Sequence, residues 1–232
     1  MDYLYFDIEC CDGNTMCSFG YVIVDDKFNI KEKKDILINP ERPFKIARAG
    51  FDPRNDLAYS EEEFLKQPNF KNRYTQIKNL LTKEDRIILG HCVNYDLKYL
   101  FKACKRYHKE KIPMKAYDTQ CIYNKNSTVA LSKIIKSLDI DVSNLKEHKS
   151  CDDAEMSMLY IKAICDKENI TIDELLRKNQ DSIKVYKETT KKKHRIEWRD
   201  KSPKNNIIQM QIEEQLKKKG ISMDEFLKSL SA

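Results

Sequence analysis

Three short stretches of this sequence place acids and a histidine at spacings that suit hydrolytic chemistry. In Tyr3-Leu4-Tyr5-Phe6-Asp7-Ile8-Glu9 the two acids stand two residues apart within a run of strand-forming residues. Side chains at i and i+2 of a strand leave the same face, so Asp7 and Glu9 project together within a few ångströms. Carboxylates that close repel, and a divalent cation with oxygen ligands best stabilises their charged state. A solvated strand end would accommodate the same pair. Asp96 closes the string Gly90-His91-Cys92-Val93-Asn94-Tyr95-Asp96, in the first turn of an expected helix, where the helix dipole favours any acid. His148-Lys149-Ser150-Cys151-Asp152-Asp153-Ala154 sets a loop histidine ahead of two acids that open another helix. Histidine exchanges a proton near neutral pH, as a general base must. Helical position alone does not choose between Asp152 and Asp153.

These residues need a scaffold, and the hydrophobic pattern supplies one. Leu4, Phe6 and Ile8 face one way and Tyr3 and Tyr5 the other, the mark of a central strand covered on both sides. Cys17–Val24 and Phe28–Ile38 read as two more strands around an Asp25-Asp26-Lys27 turn, giving an antiparallel meander. Pro40, Pro43, Gly50 and Pro53 mark a long connection. Ser60 and Glu63 form a capping box for a short helix, and Phe70–Leu81 carries helical spacing. Arg86–Leu89 is a short buried strand leading into a helix from about Asn94, with Leu97, Leu100, Phe101 and Cys104 on one face. A strand near Met114–Tyr117, a helical run over Val129–Leu138 and a helix over about Ser150–Cys165 complete an alternating second half. The fold class is α/β with a mixed sheet.

The 232 residues, 41% of them hydrophobic, suffice for one sizeable domain with an appendage or for two small domains. Lys and Arg outnumber Asp and Glu by 43 to 37, a mild basic excess that suits a polyanionic partner. That excess is concentrated. Residues 181–204 hold nine Lys or Arg against four Asp or Glu, net +5 of the chain's net +6. The beginning of the chain lacks the basic start and apolar run of a signal peptide, and no apolar stretch reaches membrane-spanning length. The eight cysteines are therefore expected as reduced thiols in the cytoplasm, with no C-x-x-C pair. Cys10, Cys11 and Cys17 lack a fourth partner for a zinc site.

Taken together and in order, F-D-I-E at 6–9, H-C-V-N-Y-D at 91–96 and H-K-S-C-D-D-A at 148–154 resemble the DEDDh exonucleases. That group includes the proofreading epsilon subunit of bacterial DNA polymerase III, ribonuclease T and oligoribonuclease. The resemblance covers roughly the first 165 residues. It implies a ribonuclease H-like fold, a mixed five-stranded sheet flanked by helices. It also implies metal-binding carboxylates at Asp7, Glu9, Asp96 and Asp153, with His148 as general base. Here the H-x4-D spacing selects Asp153 over Asp152, and Lys149 stands where the sister group has a tyrosine. Cys10 occupies a position where the family often has Thr, and Cys92 one where it often has Asn. The implied reaction uses two Mg²⁺ or Mn²⁺ ions about 4 Å apart and releases a nucleoside 5′-monophosphate from a 3′ end of DNA.

Expected substrate contacts are Cys10, His91 and Tyr95 beside the site, Tyr95 as a stacking surface, and the basic cluster Lys191, Lys192, Lys193 and Arg195 around Trp198. A solvated linker would have the same composition as that cluster. The expected organisation is an exonuclease domain over 1–180, a basic arm over 181–204, and a small helical extension over 205–232. The extension's two amphipathic helices meet at Gly220 and offer a docking surface for a polymerase or other protein. Two rival readings are an exoribonuclease or oligonucleotide scavenger, since the motifs serve DNA and RNA alike, and a binding or docking subunit without turnover.

Overall fold

β1 (Asp2–Cys10) alternates as its sequence requires, and it divides the core in two. Leu4, Phe6, Ile8 and Cys10 join one cluster of buried side chains, while Tyr3 and Tyr5 join another. β2 (Met16–Val24) is buried throughout and pairs antiparallel with β1, and β3 (Ile30–Leu37) pairs antiparallel with β2. The turn between β2 and β3 is held by Asp25, whose carboxylate accepts from the Lys27 and Asn29 amides. Phe28 stands at φ 62° within it, so the third strand starts two residues later than its apolar pattern suggested. This is the computed structural model of the protein, and it describes residues 1–46 and 50–186, with Leu216, Gly220 and Ile221.

The long connection carries α1 (Pro53–Asp56), α2 (Glu61–Leu65) and α3 (Phe70–Leu81), with both halves of the Ser60–Glu63 capping box formed at α2. β4 (Arg86–Gly90) then runs parallel to β1 and turns directly into α4 (Asn94–Arg106). β5 (Ala116–Asp118) lies parallel to β4 and leads into α5 (Thr119–Tyr123) and α6 (Leu131–Ser137). α7 (Ser150–Glu168) ends where Asn169 adopts the left-handed conformation, and α8 (Ile172–Lys178) follows. Phe70, Tyr74, Leu97 and Leu100 cover the Leu4 face of β1, while Ala154, Tyr160 and Ile161 cover the Tyr3 face.

The sheet has six strands in the order β3-β2-β1-β4-β5-β6, where β6 is Ile183–Lys184, antiparallel to β5. The five strands expected from sequence are corrected by this one. Two residues are too few for any period to show, and the strand exists only because β5 offers an edge. The sheet thus draws on residues beyond 180, and the first of two compact units runs Met1–Lys187, the second Glu188–Ala232. Lys191, Lys192, Lys193, Arg195, Trp198 and, apart from Leu216, Gly220 and Ile221, the helices expected over 205–232 lie outside the described residues. None of the eight cysteines is in a disulfide, and no helix among the described residues is long and apolar enough to cross a membrane.

Candidate active site

Asp7 and Glu9 continue the Tyr3–Tyr5 face of β1 beyond the point where side chains are fully covered. Asp7 is in register with Gly20 of β2, which is in register with Asp35 of β3, so these three positions form one row across the sheet. The gap at Gly20 receives the first turn of α7: a Cβ there would lie 2.0 Å from the Cys151 nitrogen and 2.1 Å from the Ser150 carbonyl carbon. No other residue type allows that approach. α7 thereby comes down beside the acidic pair.

The N-terminus of α7 has no cap of its own, because the preceding residue is Lys149. Asp35 supplies one from β3, its Oδ1 accepting from the Cys151 amide at 2.7 Å and from the Ser150 hydroxyl at 2.9 Å. Ser18 of β2 and Ser150, both buried, also hydrogen-bond to each other. The two acids that follow then separate. Asp152 turns away, its Oδ2 accepting from the Lys146 amide at 3.0 Å and its Oδ1 paired with Lys33 at 2.5 Å. Asp153 turns towards Glu9.

His148 is held between these groups in the left-handed region, at φ 60°. Its amide donates to Asp153 Oδ2 at 2.9 Å, its carbonyl accepts from the Ala58 amide at 3.2 Å, and its Nδ1 lies 3.3 Å from Glu9 Oε1. Phe51 meets the imidazole edge-on, with 4.7 Å between ring centres. Ligand atoms of Glu9, His148 and Asp153 all lie within 4.8 Å of one another. Asp96 enters from the start of α4 and is 4% exposed.

Burial, reinforced by neighbouring negative charge, opposes ionisation of Asp7, Asp96 and Asp153. It pushes Asp7 well above the carboxylate range, with Asp96, Glu9 and Asp153 adding to the effect, and does the same to Asp96 with help from Glu9. Asp153 rises to about 7, through burial and then the charge of Glu9. The acids line a cleft of about 740 Å³ in which, among the described residues, Lys45 is the lone Lys or Arg. Clustered carboxyl oxygens short of positive charge are a donor set for hard divalent ions such as Mg²⁺ or Mn²⁺. Cys10, Cys11 and Cys17 are buried, and the ligand group found among the described residues, Glu9, His148 and Asp153, includes none of them.

The remaining expected contacts sort themselves by geometry. Tyr95 is 57% exposed at the cleft wall, and Cys10 is buried against the cleft. His91 also lines it, but both ring nitrogens are engaged, Nδ1 with the Tyr160 hydroxyl at 3.0 Å and Nε2 with the Val129 carbonyl at 3.1 Å. The Nε2–H donates to the Val129 carbonyl, and burial lowers the ring's pKa to about 4, which favours the neutral form. His91 therefore fixes the loop before α6. Lys45, Phe51 and Tyr99 line the cleft without having been singled out from sequence. Tyr99, four residues after Tyr95 on α4, was readable from helical spacing, while Lys45 and Phe51 sit in the irregular connection and carried no such signal.

A family model described as exonuclease matches residues 5–160. No curated protein matches the chain by sequence. Among solved structures, a 3′-exonuclease described in 3′-end specific recognition of a histone mRNA stem-loop shares the fold at a TM-score of 0.59 and 15% identity, over 73% of this chain and 84% of that one. E. coli exonuclease I in complex with a dA16 oligonucleotide superposes at 0.56 and 14% identity, over 76% of this chain and 42% of its own. S. pombe Pop2p, in a form with Mg²⁺ and Mn²⁺ bound, superposes at 0.54 and 14%, over 71% and 83%.

Proposed function

The chain belongs to the RNase T family of exonucleases, and from that premise we propose that it is a DEDDh-type, metal-dependent 3′-to-5′ exonuclease releasing nucleoside 5′-monophosphates from the 3′ ends of DNA. The observation that carries this reading is the convergence of Asp7, Glu9, Asp96 and Asp153 with His148 in one cleft, from β1, α4 and α7.

The donor set suits Mg²⁺ or Mn²⁺, held by the four carboxylates; such ions, when bound, neutralise phosphate charge and make water more acidic. His148 acts on the attacking water. In the neutral tautomer that donates from Nδ1 to Glu9, the lone pair resides on Nε2, and that atom takes the proton. The Glu9 contact fixes both tautomer and ring orientation. Tyr95, exposed at the cleft wall, offers its ring to the terminal base, a contact of about 1–3 kcal/mol where such stacking has been measured.

RNA is the second reading, favoured by the structural likeness to the 3′-exonuclease of the histone mRNA stem-loop. Incubating the protein with end-labelled single-stranded DNA, duplex DNA and RNA, in Mg²⁺, Mn²⁺ or EDTA, separates the readings. Stepwise shortening from the 3′ end that stops in EDTA is expected. Internal cleavage, shortening from the 5′ end or full activity in EDTA would refute the assignment.

A further inference from the structure

His148 occupies a backbone conformation that residues with a Cβ seldom adopt, and such a residue persists only where its surroundings hold it. Two chain segments do so: the Ala58 amide bonds its carbonyl, and Asp153, in the first turn of α7, bonds its amide. One side chain joins these two segments. Asp35 Oδ1 accepts from Ser150 and Cys151, next to Asp153, while its Oδ2 accepts from the Tyr59 hydroxyl, next to Ala58, at 2.8 Å.

We infer that Asp35 is a positioning residue for the reaction, a tie on β3 that clamps the Tyr59 segment and the first turn of α7 together and so holds His148 in its cleft. The inference rests on the exonuclease reading for its kinetic part and on geometry alone for its structural part. Asp35 is half-buried on the third strand from the site and belongs to none of the three motifs. Its row across the sheet explains its reach: Gly20 between Asp7 and Asp35 leaves room for the α7 terminus, and Asp35 fills the capping position that Lys149 cannot. Lys33, two residues earlier on the same face, reinforces the arrangement through Asp152 and Glu155.

The test uses the full chain with Asp35→Ala, Asp35→Asn and Tyr59→Phe. The Asn side chain can meet all three partners, its oxygen accepting from Ser150 and Cys151 and its NH₂ donating to the Tyr59 oxygen. Loss of the tie in Asp35→Ala should lower kcat on a single-stranded oligonucleotide roughly tenfold to a hundredfold, the scale set by misplacing a catalytic group by about 1 Å. KM should change by less than roughly twofold, because Asp35 does not face the substrate. Asp35→Asn should recover most of the rate, and Tyr59→Phe, lacking one bond, should fall between. With only four histidines in the chain, the His148 ring resonance can be followed by NMR, and it should broaden or shift in Asp35→Ala and Tyr59→Phe but not in Asp35→Asn.

Unchanged kcat in Asp35→Ala overturns the inference. So does an Asn variant as slow as the Ala variant, which would assign the effect to the negative charge that Asp35 presents to Asp7. A slowed variant with an unaltered His148 resonance overturns it as well. Should Asp35→Ala fail to fold by circular dichroism, Tyr59→Phe carries the same two readouts. If the unaltered protein hydrolyses no nucleic acid, the exonuclease reading fails, and the His148 resonance still decides the positioning claim.

Discussion

Asp153→Asn should make the metal-free protein more stable at neutral and alkaline pH while abolishing its hydrolytic activity. Asp153 is 8% exposed, and its carboxyl is raised to about 7 by burial and by Glu9. Well below pH 4 the carboxyl is protonated in both the folded and unfolded chain and contributes no pH dependence. As pH climbs from about 4 to 7, the unfolded chain releases this proton while the folded chain keeps it, so stability falls; above 7 the penalty is constant. The rise to about 7 from an ordinary value near 4 corresponds to about 4 kcal/mol. Asp7 and Asp96 share the same repulsion and respond to any change in it, so a measured gain of about 1–4 kcal/mol is expected at pH 8. Asn keeps the oxygen that accepts from the His148 amide, which leaves the loop bonded. Urea unfolding followed by far-ultraviolet circular dichroism, in EDTA at pH 4, 6 and 8, measures this directly. The variant's advantage should be small at pH 4 and grow towards pH 8. Saturating Mg²⁺, about 100 times its Kd, should return about 2.7 kcal/mol to the unaltered protein and much less to the variant. A variant no more stable than its parent at pH 8, or equal stabilisation of both by Mg²⁺, would refute the picture of crowded, cation-seeking carboxylates.

Other substitutions probe different parts of the same machinery. His148→Ala should reduce kcat by about 10²–10⁴-fold, the range for a lost general base, while calorimetry finds divalent-ion affinity within a few-fold of normal; a collapse of affinity would make His148 a ligand alongside Glu9 and Asp153. Gly20→Ala should lower both melting temperature and kcat, because its Cβ would press on the α7 backbone at 2.0 Å, at a cost of about 1–3 kcal/mol or more; normal values for both would show that the strand and helix can separate freely. Replacing Lys191, Lys192, Lys193 and Arg195 together by Gln should weaken binding of long single strands and reduce the salt slope by up to about 0.7 per lost phosphate contact. An unchanged slope in fluorescence anisotropy would assign that cluster to a solvated linker.

Much of the scaffold was legible because its elements are long enough for their periods to show. β1 declared itself through Leu4, Phe6 and Ile8 against Tyr3 and Tyr5, and the structure places those two sets in separate cores. The helices over Phe70–Leu81 and Asn94–Arg106 each present several turns of one apolar stripe, and Ser150–Glu168 is long and widely buried. The elements that escaped notice are short: α1, α5, α8 and β6 span two to seven residues. At that length, capping and edge pairing decide the conformation, and they depend on residues far away in sequence.

The candidate site divides along the same line. Types and spacing were enough to nominate Asp7, Glu9, Asp96, His148 and Asp153, but spacing alone left Asp152 and Asp153 equivalent. The difference between those neighbours comes from Lys33 and the Lys146 amide, which occupy Asp152 from outside the motif. Gly20 and Asp35 carry no local signature either, since a glycine in a strand and an aspartate on a half-exposed one are both ordinary. Their importance arises only when β1, β2 and β3 come into register and the α7 terminus descends onto the middle of the row. The sheet therefore supplies two different things to this cleft. β1 contributes Asp7 and Glu9, while β2 and β3 contribute the absence of a side chain and a borrowed helix cap. The second contribution is what allows a histidine in a strained loop and an aspartate on a separate helix to meet the first.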